Sequence, residues 1–223
     1  MNYLKIDKED VCNGEGLRAV LWLSGCSHKC KGCQNPQTWP VNSGIPFDEQ
    51  AKEELFRELN KDYISGLTLT GGDPLFENNL DDVLDLVNEF RLSFPQKSIW
   101  MYTGYKAISV DSEYERIIFD RGHENIIEQF SFESVISHNK RSEIASMCDV
   151  LVDGRYVESE RDITLPYRGS KNQRIIDVQK SIKKGEIVLW QMIKVLCTLK
   201  NKQYYYGQCV PCDKKERNKY GED

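Results

Sequence analysis

Near the amino terminus the sequence reads Leu17-Arg18-Ala19-Val20-Leu21-Trp22-Leu23-Ser24-Gly25-Cys26-Ser27-His28-Lys29-Cys30-Lys31-Gly32-Cys33. Its first half is an apolar run bounded by glycines, which predicts a buried β-strand. Its second half places three thiols at the spacing Cys-x3-Cys-x2-Cys directly after that run. The cysteines are therefore expected in a loop at the carboxyl end of the strand.

The three cysteines of this loop are soft ligands. Clustered thiolates suit an iron–sulfur cluster or zinc. A 4Fe-4S cluster usually takes four cysteines, so Cys26, Cys30 and Cys33 alone would leave one iron free to bind a small molecule. The alternative is a structural zinc completed by a distant residue, since the short tether of His28 makes it an awkward ligand. The spacing favours the iron–sulfur interpretation, and zinc stays open.

Strands and helices alternate after the cysteine loop. Amphipathic helices are predicted over 47–59 and 79–92, and strands over 66–70 and 98–103. This alternation is typical of an α/β fold with a mostly parallel sheet and outer helices. In such sheets the loops that carry chemistry gather at the carboxyl ends of the strands.

Two polar turns join the cysteine loop at strand ends. Gly71-Gly72-Asp73 follows the second predicted strand and Tyr102-Thr103-Gly104 follows the third. We therefore expect all three loops on one rim of the sheet. Farther along the chain, a helix is predicted over 113–120, and strands are predicted over 148–154 and 172–178.

Composition limits the function classes. The chain has 223 residues, a formal net charge of −5 and eight cysteines. The negative charge argues against a broad surface for nucleic acid or anionic membranes. The sequence shows neither a signal peptide nor an apolar run as long as a membrane span. Cysteines without an export signal predict a reducing, cytoplasmic location, with thiols used for metal binding or catalysis rather than disulfides.

The cysteine spacing resembles the signature of the radical SAM enzymes, in which three cysteines hold a 4Fe-4S cluster. In that family the free iron chelates the amino and carboxylate groups of S-adenosylmethionine. The stretch Gly71-Gly72-Asp73-Pro74 is similar to the family's Gly-Gly-Glu motif, with Asp in place of the commoner Glu. Glycines there let the backbone approach the ammonium group of the cosubstrate. The resemblance implies a partial (β/α) barrel of the radical SAM type.

Several motifs, occurring in order, narrow the resemblance to one group, the activating proteins of the anaerobic (class III) ribonucleoside-triphosphate reductase. Residues 106–147 look longer than that group's usual connection, and residues 191–223 extend past its usual end. We therefore expect a core domain over 1–190 with an insert at about 106–147, and an extension over 191–223 of unknown role. The motifs are Asn13-Gly14-x-Gly16-x-Arg18, Cys30-x-Gly32-Cys33-x-Asn35-Pro36, Gly71-Gly72-Asp73-Pro74-Leu75, Tyr102-Thr103-Gly104-Tyr105, Val152-Asp153-Gly154-Arg155 and Arg168-Gly169-Ser170-x-Asn172-Gln173-Arg174.

The resemblance implies an oxidoreductase that generates a glycyl radical. Flavodoxin or ferredoxin would supply an electron to the cluster, and S-adenosylmethionine would be cleaved to a 5′-deoxyadenosyl radical. That radical would take a hydrogen from a glycine of the large reductase subunit. Neither nucleic acid nor a membrane takes part.

Residue roles follow from the same resemblance. Cys26, Cys30 and Cys33 would hold the cluster. For Tyr102 and Thr103, capping of a strand is an equal alternative to a cosubstrate contact. The candidates for binding S-adenosylmethionine are Gly32, Gln34 and Asn35 beside the cluster, Gly71, Gly72 and Asp73 at the methionine group, and Tyr102 and Thr103 at the nucleoside.

Two other functions stay open. The chain could activate a different glycyl radical enzyme, of the pyruvate formate-lyase type, or it could be a non-catalytic cysteine-rich module that binds metal. Cys209-x2-Cys212 together with Cys197 forms a candidate second metal or redox site, although the chain has no second Cys-x2-Cys pair to match it beyond the cysteine loop.

Overall fold

A computed structural model describes residues 1–120, 132–191, 202–205 and 208–211 of the chain. The chain divides into two compact units, Met1–Trp190 and Gln191–Asp223. The strands are β1 Asn2–Asp10, β2 Arg18–Leu23, β3 Ile45–Pro46, β4 Gly66–Gly71, β5 Ser98–Tyr102, β6 Ala107–Asp111, β7 Arg116–Phe119, β8 Val150–Asp153, β9 Arg174–Asp177, β10 Lys202–Tyr205 and β11 Gln208–Pro211.

Seven of these strands form one mixed sheet in the order β3-β1-β2-β4-β5-β8-β9. Strands β2, β4, β5 and β8 pair in parallel, whereas β1 and β9 pair antiparallel on either side of them. The predicted α/β class is thereby confirmed. The sheet has two edges, β3 and β9, and no barrel closure is seen among the described strands, so the partial-barrel shape stays a prediction.

Within the described residues, four α-helices accompany the sheet: α1 Glu49–Leu59, α2 Leu80–Ser93, α3 Phe132–Ser146 and α4 Val178–Lys184. The Asp48 side chain caps α1 by accepting from the Ala51 N–H at 2.9 Å. This bond satisfies one of the backbone N–H groups that lack a partner at the start of the helix. Alternation along β5 sends Ile99 and Met101 into the larger apolar core, with the leucines of α1 and α2. None of the helices within the described residues is long and apolar enough to cross a bilayer.

Two elements differ from the sequence predictions. The predicted helix over 113–120 is wrong: β6 and β7 form a hairpin there, turning at Glu115, whose φ is +51°. The β-branched pair Ile117-Ile118 favours the extended backbone. Strand β1 was not predicted from the sequence, because its polar residues alternate along a strand that is only partly buried.

A buried arginine ties the amino-terminal ends of the central strands together. The Arg18 side chain is fully buried. Its guanidinium donates to Thr68 Oγ1 at 2.7 Å, to Leu67 O at 2.7 Å and to Ser98 O at 2.8 Å. It also donates to Glu15 O at 3.0 Å. Burial lowers the pKa of Arg18 to about 10, so the group stays charged at neutral pH. These contacts give Arg18 a structural role.

The β6–β7 hairpin is fastened to the rim of the sheet by a buried carboxylate. Asp153, which is 1% exposed, accepts from the Ala107 N–H at 2.9 Å. Arg174 donates to Asp153 Oδ1 at 3.0 Å and to Ala107 O at 2.6 Å. The start of the hairpin is thereby held beside the ends of β8 and β9.

Candidate metal centre

The cysteine loop leaves the sheet at the carboxyl end of β2, as predicted. A short return segment holds its base: the Gly25 N–H donates to Thr38 O at 2.8 Å, and the Cys26 N–H donates to Trp39 O at 3.0 Å. Thr38 Oγ1 also donates to Gly71 O at 2.9 Å, which links this segment to the end of β4. The loop is therefore fixed at both ends before it reaches the neighbouring turns.

Each cysteine of the loop is a half-buried free thiol. The backbone N–H groups of His28 and Lys29 lie close to the Cys26 sulfur, and that of Tyr156 lies close to the Cys30 sulfur, so that they favour the thiolate forms. The Asn35 N–H donates to the Cys33 sulfur at 3.4 Å. Backbone N–H groups directed at thiolates are the usual environment of an iron–sulfur cluster and help to set its reduction potential.

Burial governs the acidity of two of these thiols. It raises the pKa of Cys26 to about 11, with the Asp73 carboxylate as the next cause. Burial also raises the pKa of Cys30. A metal must therefore displace protons from these thiols, as is general for thiolate ligands.

The donor set fits an iron–sulfur cluster. Three soft sulfurs lie in one short loop, each close to a backbone N–H group, and the loop carries no disulfide. Among the side chains described within residues 1–120 and 136–191, no three of His, Cys, Asp or Glu form a group that could hold a single metal ion. Soft thiolates in one short loop are the ligands that iron–sulfur clusters use.

The turn at the end of β4 lies directly against the base of the cysteine loop. The Gly72 N–H donates to Leu23 O at 2.7 Å, and the Asp73 N–H donates to Gly25 O at 2.8 Å. Gly71 has φ +97°, and a Cβ on Gly72 would lie 2.5 Å from Gly25 O. Only glycine satisfies both conditions, so the Gly71-Gly72 pair allows the two loops to meet.

The Asp73 side chain links neighbouring turns at the rim by hydrogen bonds. Its carboxylate is 2% exposed and accepts from Thr103 Oγ1 at 2.9 Å, the Gly104 N–H at 2.8 Å and the Leu75 N–H at 2.9 Å. The carboxylate therefore joins the turn after β4 to the turn after β5. Thr103 is thus engaged with Asp73, which accords with the capping interpretation of that residue.

The other candidate cosubstrate residues lie in different surroundings. Tyr102 belongs to a second apolar cluster around Trp100 and Trp190, and burial raises the pKa of its phenol. Gly32 has φ +71°, and a Cβ there would lie 2.8 Å from the Glu158 carboxylate. Gln34 is exposed on the loop surface. The assignment of these residues to the cosubstrate stays a prediction.

Sequence reasoning missed the contribution of the segment after β8. Arg155 donates through Nε to His28 Nδ1 at 3.2 Å, and the Tyr156 N–H lies close to the Cys30 sulfur. Lys31 forms an ion pair with Glu158 at 3.3 Å. We call residues 154–173 the strap, since this segment lies along the cysteine loop. The sequence did offer one signal for this segment, because the strap begins in the turn Val152-Asp153-Gly154-Arg155, which follows a predicted strand.

A cavity of about 820 Å³ opens beside the cysteine loop. Its walls come from Ser27 and His28, from the turn after β5, and from the ends of β8 and β9. The base of the β6–β7 hairpin contributes Lys106 and Asp120. The cavity thus joins the cysteine loop to the same rim on which the polar turns meet, and it is large enough for a nucleoside-sized ligand.

The candidate second metal site lies almost wholly outside the described residues. Cys197 and Cys212 are not described, and of Cys209 only the backbone is, in β11 opposite Tyr204 of β10. A second metal or redox site therefore stays a prediction.

Replacing Gly104 by alanine should disturb the rim. A Cβ on Gly104 would lie 2.2 Å from Cδ2 of the His28 ring, which is held on several sides and has little room to move. We expect a loss of about 1–3 kcal/mol in the free energy of unfolding of the metal-free protein, as is typical of overpacking. Urea denaturation measures it, and an unchanged midpoint would contradict the contact.

Comparison with known proteins agrees with the site. A family model described as a 4Fe-4S single cluster domain matches residues 12–176. The anaerobic ribonucleoside-triphosphate reductase-activating protein of phage T4 is 38% identical over 175 residues, which cover 78% of this chain and 93% of that protein. The proteins of the same name from Escherichia coli K12 and Haemophilus influenzae are 35% and 34% identical, and the matches cover 96% and 97% of their lengths. The chain belongs to the family of the anaerobic ribonucleoside-triphosphate reductase-activating proteins, which carries a 4Fe-4S domain.

Proposed function

We propose that this protein cleaves S-adenosylmethionine reductively and uses the product to place a glycyl radical on an anaerobic ribonucleoside-triphosphate reductase. The observation that carries the proposal is that the loop with three half-buried free cysteines meets the Gly71-Gly72-Asp73 turn on one rim. The names of the relatives support the choice of partner. Flavodoxin or ferredoxin is the proposed electron donor.

Different loops of the chain would hold the cluster and orient the cosubstrate. Cys26, Cys30 and Cys33 would hold the cluster. The chemistry that a bound 4Fe-4S cluster supplies is one electron to the sulfonium, which splits the carbon–sulfur bond into methionine and a 5′-deoxyadenosyl radical able to take a hydrogen from glycine. The Gly71-Gly72 backbone would orient the methionine end, because no side chain there blocks approach.

The cavity beside the loop would seat the rest of the cosubstrate and the glycine. It is bordered by Tyr105 and Gly104 after β5 and by Gly154 and Arg155 after β8. Bordering loops of this kind restrict water and hold the reacting groups close together, which is the main contribution a protein makes to such chemistry.

The test is an anaerobic incubation of the protein with S-adenosylmethionine, dithionite and the reductase. We expect a glycyl-radical doublet in the electron paramagnetic resonance spectrum and one equivalent of 5′-deoxyadenosine per radical formed. Omitting S-adenosylmethionine is the matched control. A doublet that forms only with a pyruvate formate-lyase-type partner would favour the other activase, and zinc without sulfide in anaerobically purified protein would refute radical chemistry.

A further inference from the structure

One side chain of the cysteine loop is not a ligand and is nevertheless buried. His28 lies midway between Cys26 and Cys30, and only 6% of its side chain is exposed. Its neighbours Ser27 and Lys29 are exposed, as is common in a surface loop. The buried His28 side chain therefore turns away from solvent and contacts the rim.

The imidazole bridges two other loops. Arg155 Nε donates to Nδ1 at 3.2 Å on one side, and Nε2 lies 2.8 Å from Asp73 Oδ2 on the other. A guanidinium only donates, so Nδ1 must accept, and the proton of the neutral ring is on Nε2, which faces the carboxylate. The Nε2–Oδ2 approach lacks the alignment of a full hydrogen bond, so we treat it as an electrostatic contact.

The rim is shaped to receive this ring. The absence of a side chain at Gly104 leaves the space into which the imidazole fits. The Tyr105 ring packs edge-on against it, with centroids 4.7 Å apart. Asp73 is in turn held by Thr103 and Gly104. His28 is thus in contact with the turns after β4, β5 and β8 together.

The position of the His28 ring bears on two backbone N–H groups near the Cys26 sulfur. The backbone N–H groups of His28 and Lys29 both lie close to the Cys26 sulfur, where they favour its thiolate form. Their direction depends on the loop backbone, which the buried imidazole fixes. Hydrogen bonds to cluster sulfurs raise the reduction potential, since they stabilise the extra negative charge of the reduced state.

We propose that His28 is a positioning residue that joins the cysteine loop to Asp73 and Arg155 and so fixes the N–H groups at Cys26 that set the potential of the cluster. The proposal rests on the proposed function only in assuming that the cysteines hold a 4Fe-4S cluster. It requires one acceptor and one donor on the side chain, not an imidazole as such.

Two substitutions separate this role from simple packing. His28→Phe keeps a flat ring and loses both polar atoms, whereas His28→Gln keeps an acceptor for Arg155 and a donor for Asp73. Lys31→Ala is the matched control, because Lys31 belongs to the same loop and its side chain is 92% exposed. All three proteins are purified and reconstituted anaerobically, and the metal-free forms are compared by thermal unfolding.

The main readout is the midpoint potential of the reconstituted cluster, together with the g values of its reduced form. We expect the midpoint potential of His28→Phe to shift to more negative values, with altered g values. The midpoint potential of His28→Gln should lie close to that of the wild type. Lys31→Ala should match the wild type. We also expect cleavage of S-adenosylmethionine by His28→Phe to fall by about 10- to 100-fold, as is typical when the partner of a metal ligand is lost.

Each other outcome refutes the proposal. A wild-type potential and spectrum in His28→Phe would show that the seat does not control the donors. Equal defects in His28→Phe and His28→Gln, including failure of both to bind a cluster, would show that the two polar contacts are not what matters. The potential needs no cleavage reaction, so the result stands even if wild-type protein fails to cleave S-adenosylmethionine.

Discussion

Replacing Cys30 by alanine will leave the protein without a stable 4Fe-4S cluster. Cys30 is the middle cysteine of the loop and a proposed ligand, and the Tyr156 N–H of the strap lies close to its sulfur. Without it only two thiolates, Cys26 and Cys33, remain where at least three are needed. Because structural clusters rest on all of their protein ligands, we expect iron and sulfide contents near zero after reconstitution, and no cleavage of S-adenosylmethionine.

The measurement is iron and acid-labile sulfide per chain, supported by visible absorbance and electron paramagnetic resonance. Cys12→Ala is the matched control, since Cys12 is an exposed thiol in another loop. It should retain the wild-type cluster content. A Cys30→Ala protein that carries a full cluster and cleaves the cosubstrate would show that the ligands have been assigned wrongly.

Replacing Arg18 by methionine will destabilise the fold by about 3–4 kcal/mol. Methionine fills much of the space but leaves acceptors on Thr68, Leu67, Ser98 and Glu15 without their donors. Each buried polar group without a partner costs about 1–3 kcal/mol, and relaxation recovers part of the sum. Lysine has fewer donors in a different geometry, so Arg18→Lys should lie between methionine and the wild type.

Denaturant unfolding of the metal-free protein measures this loss without any contribution from a cluster. Arg57→Met is the control, because Arg57 is an exposed residue of α1 and its replacement should change stability by less than about 0.5 kcal/mol. A midpoint for Arg18→Met equal to that of the control would mean that the buried network contributes nothing net.

The sequence was most informative where glycines and cysteines mark the ends of apolar runs. The cysteine loop after β2 and the Gly71-Gly72 turn after β4 were both predicted at the same rim, because parallel strands bring their carboxyl ends together. Hydrophobic periodicity was enough to find α1 and α2. These features depend on local pattern and on one topological rule.

The contacts of His28 could not be predicted in the same way. They depend on how far the turns after β4, β5 and β8 reach over the rim, which is a matter of packing rather than of pattern. The same holds for the strap, whose Tyr156 acts through its backbone and so leaves no mark in residue type. The β6–β7 hairpin was wrongly predicted as a helix over 113–120, because a short run of mixed polarity carries no reliable hydrophobic period.

The strap also has a consequence for the order in which the protein matures. His28 and Arg155 are 127 residues apart in the chain, and Tyr156 follows Cys30 by nearly as many. The three cysteines emerge early during synthesis, but their surroundings are complete only after β8 and the strap have followed. A nascent chain ending before the strap would present its thiols with part of their environment missing. Delivery of iron and sulfide is therefore expected to follow completion of the core, and released chains should accept a cluster far better than ribosome-bound ones.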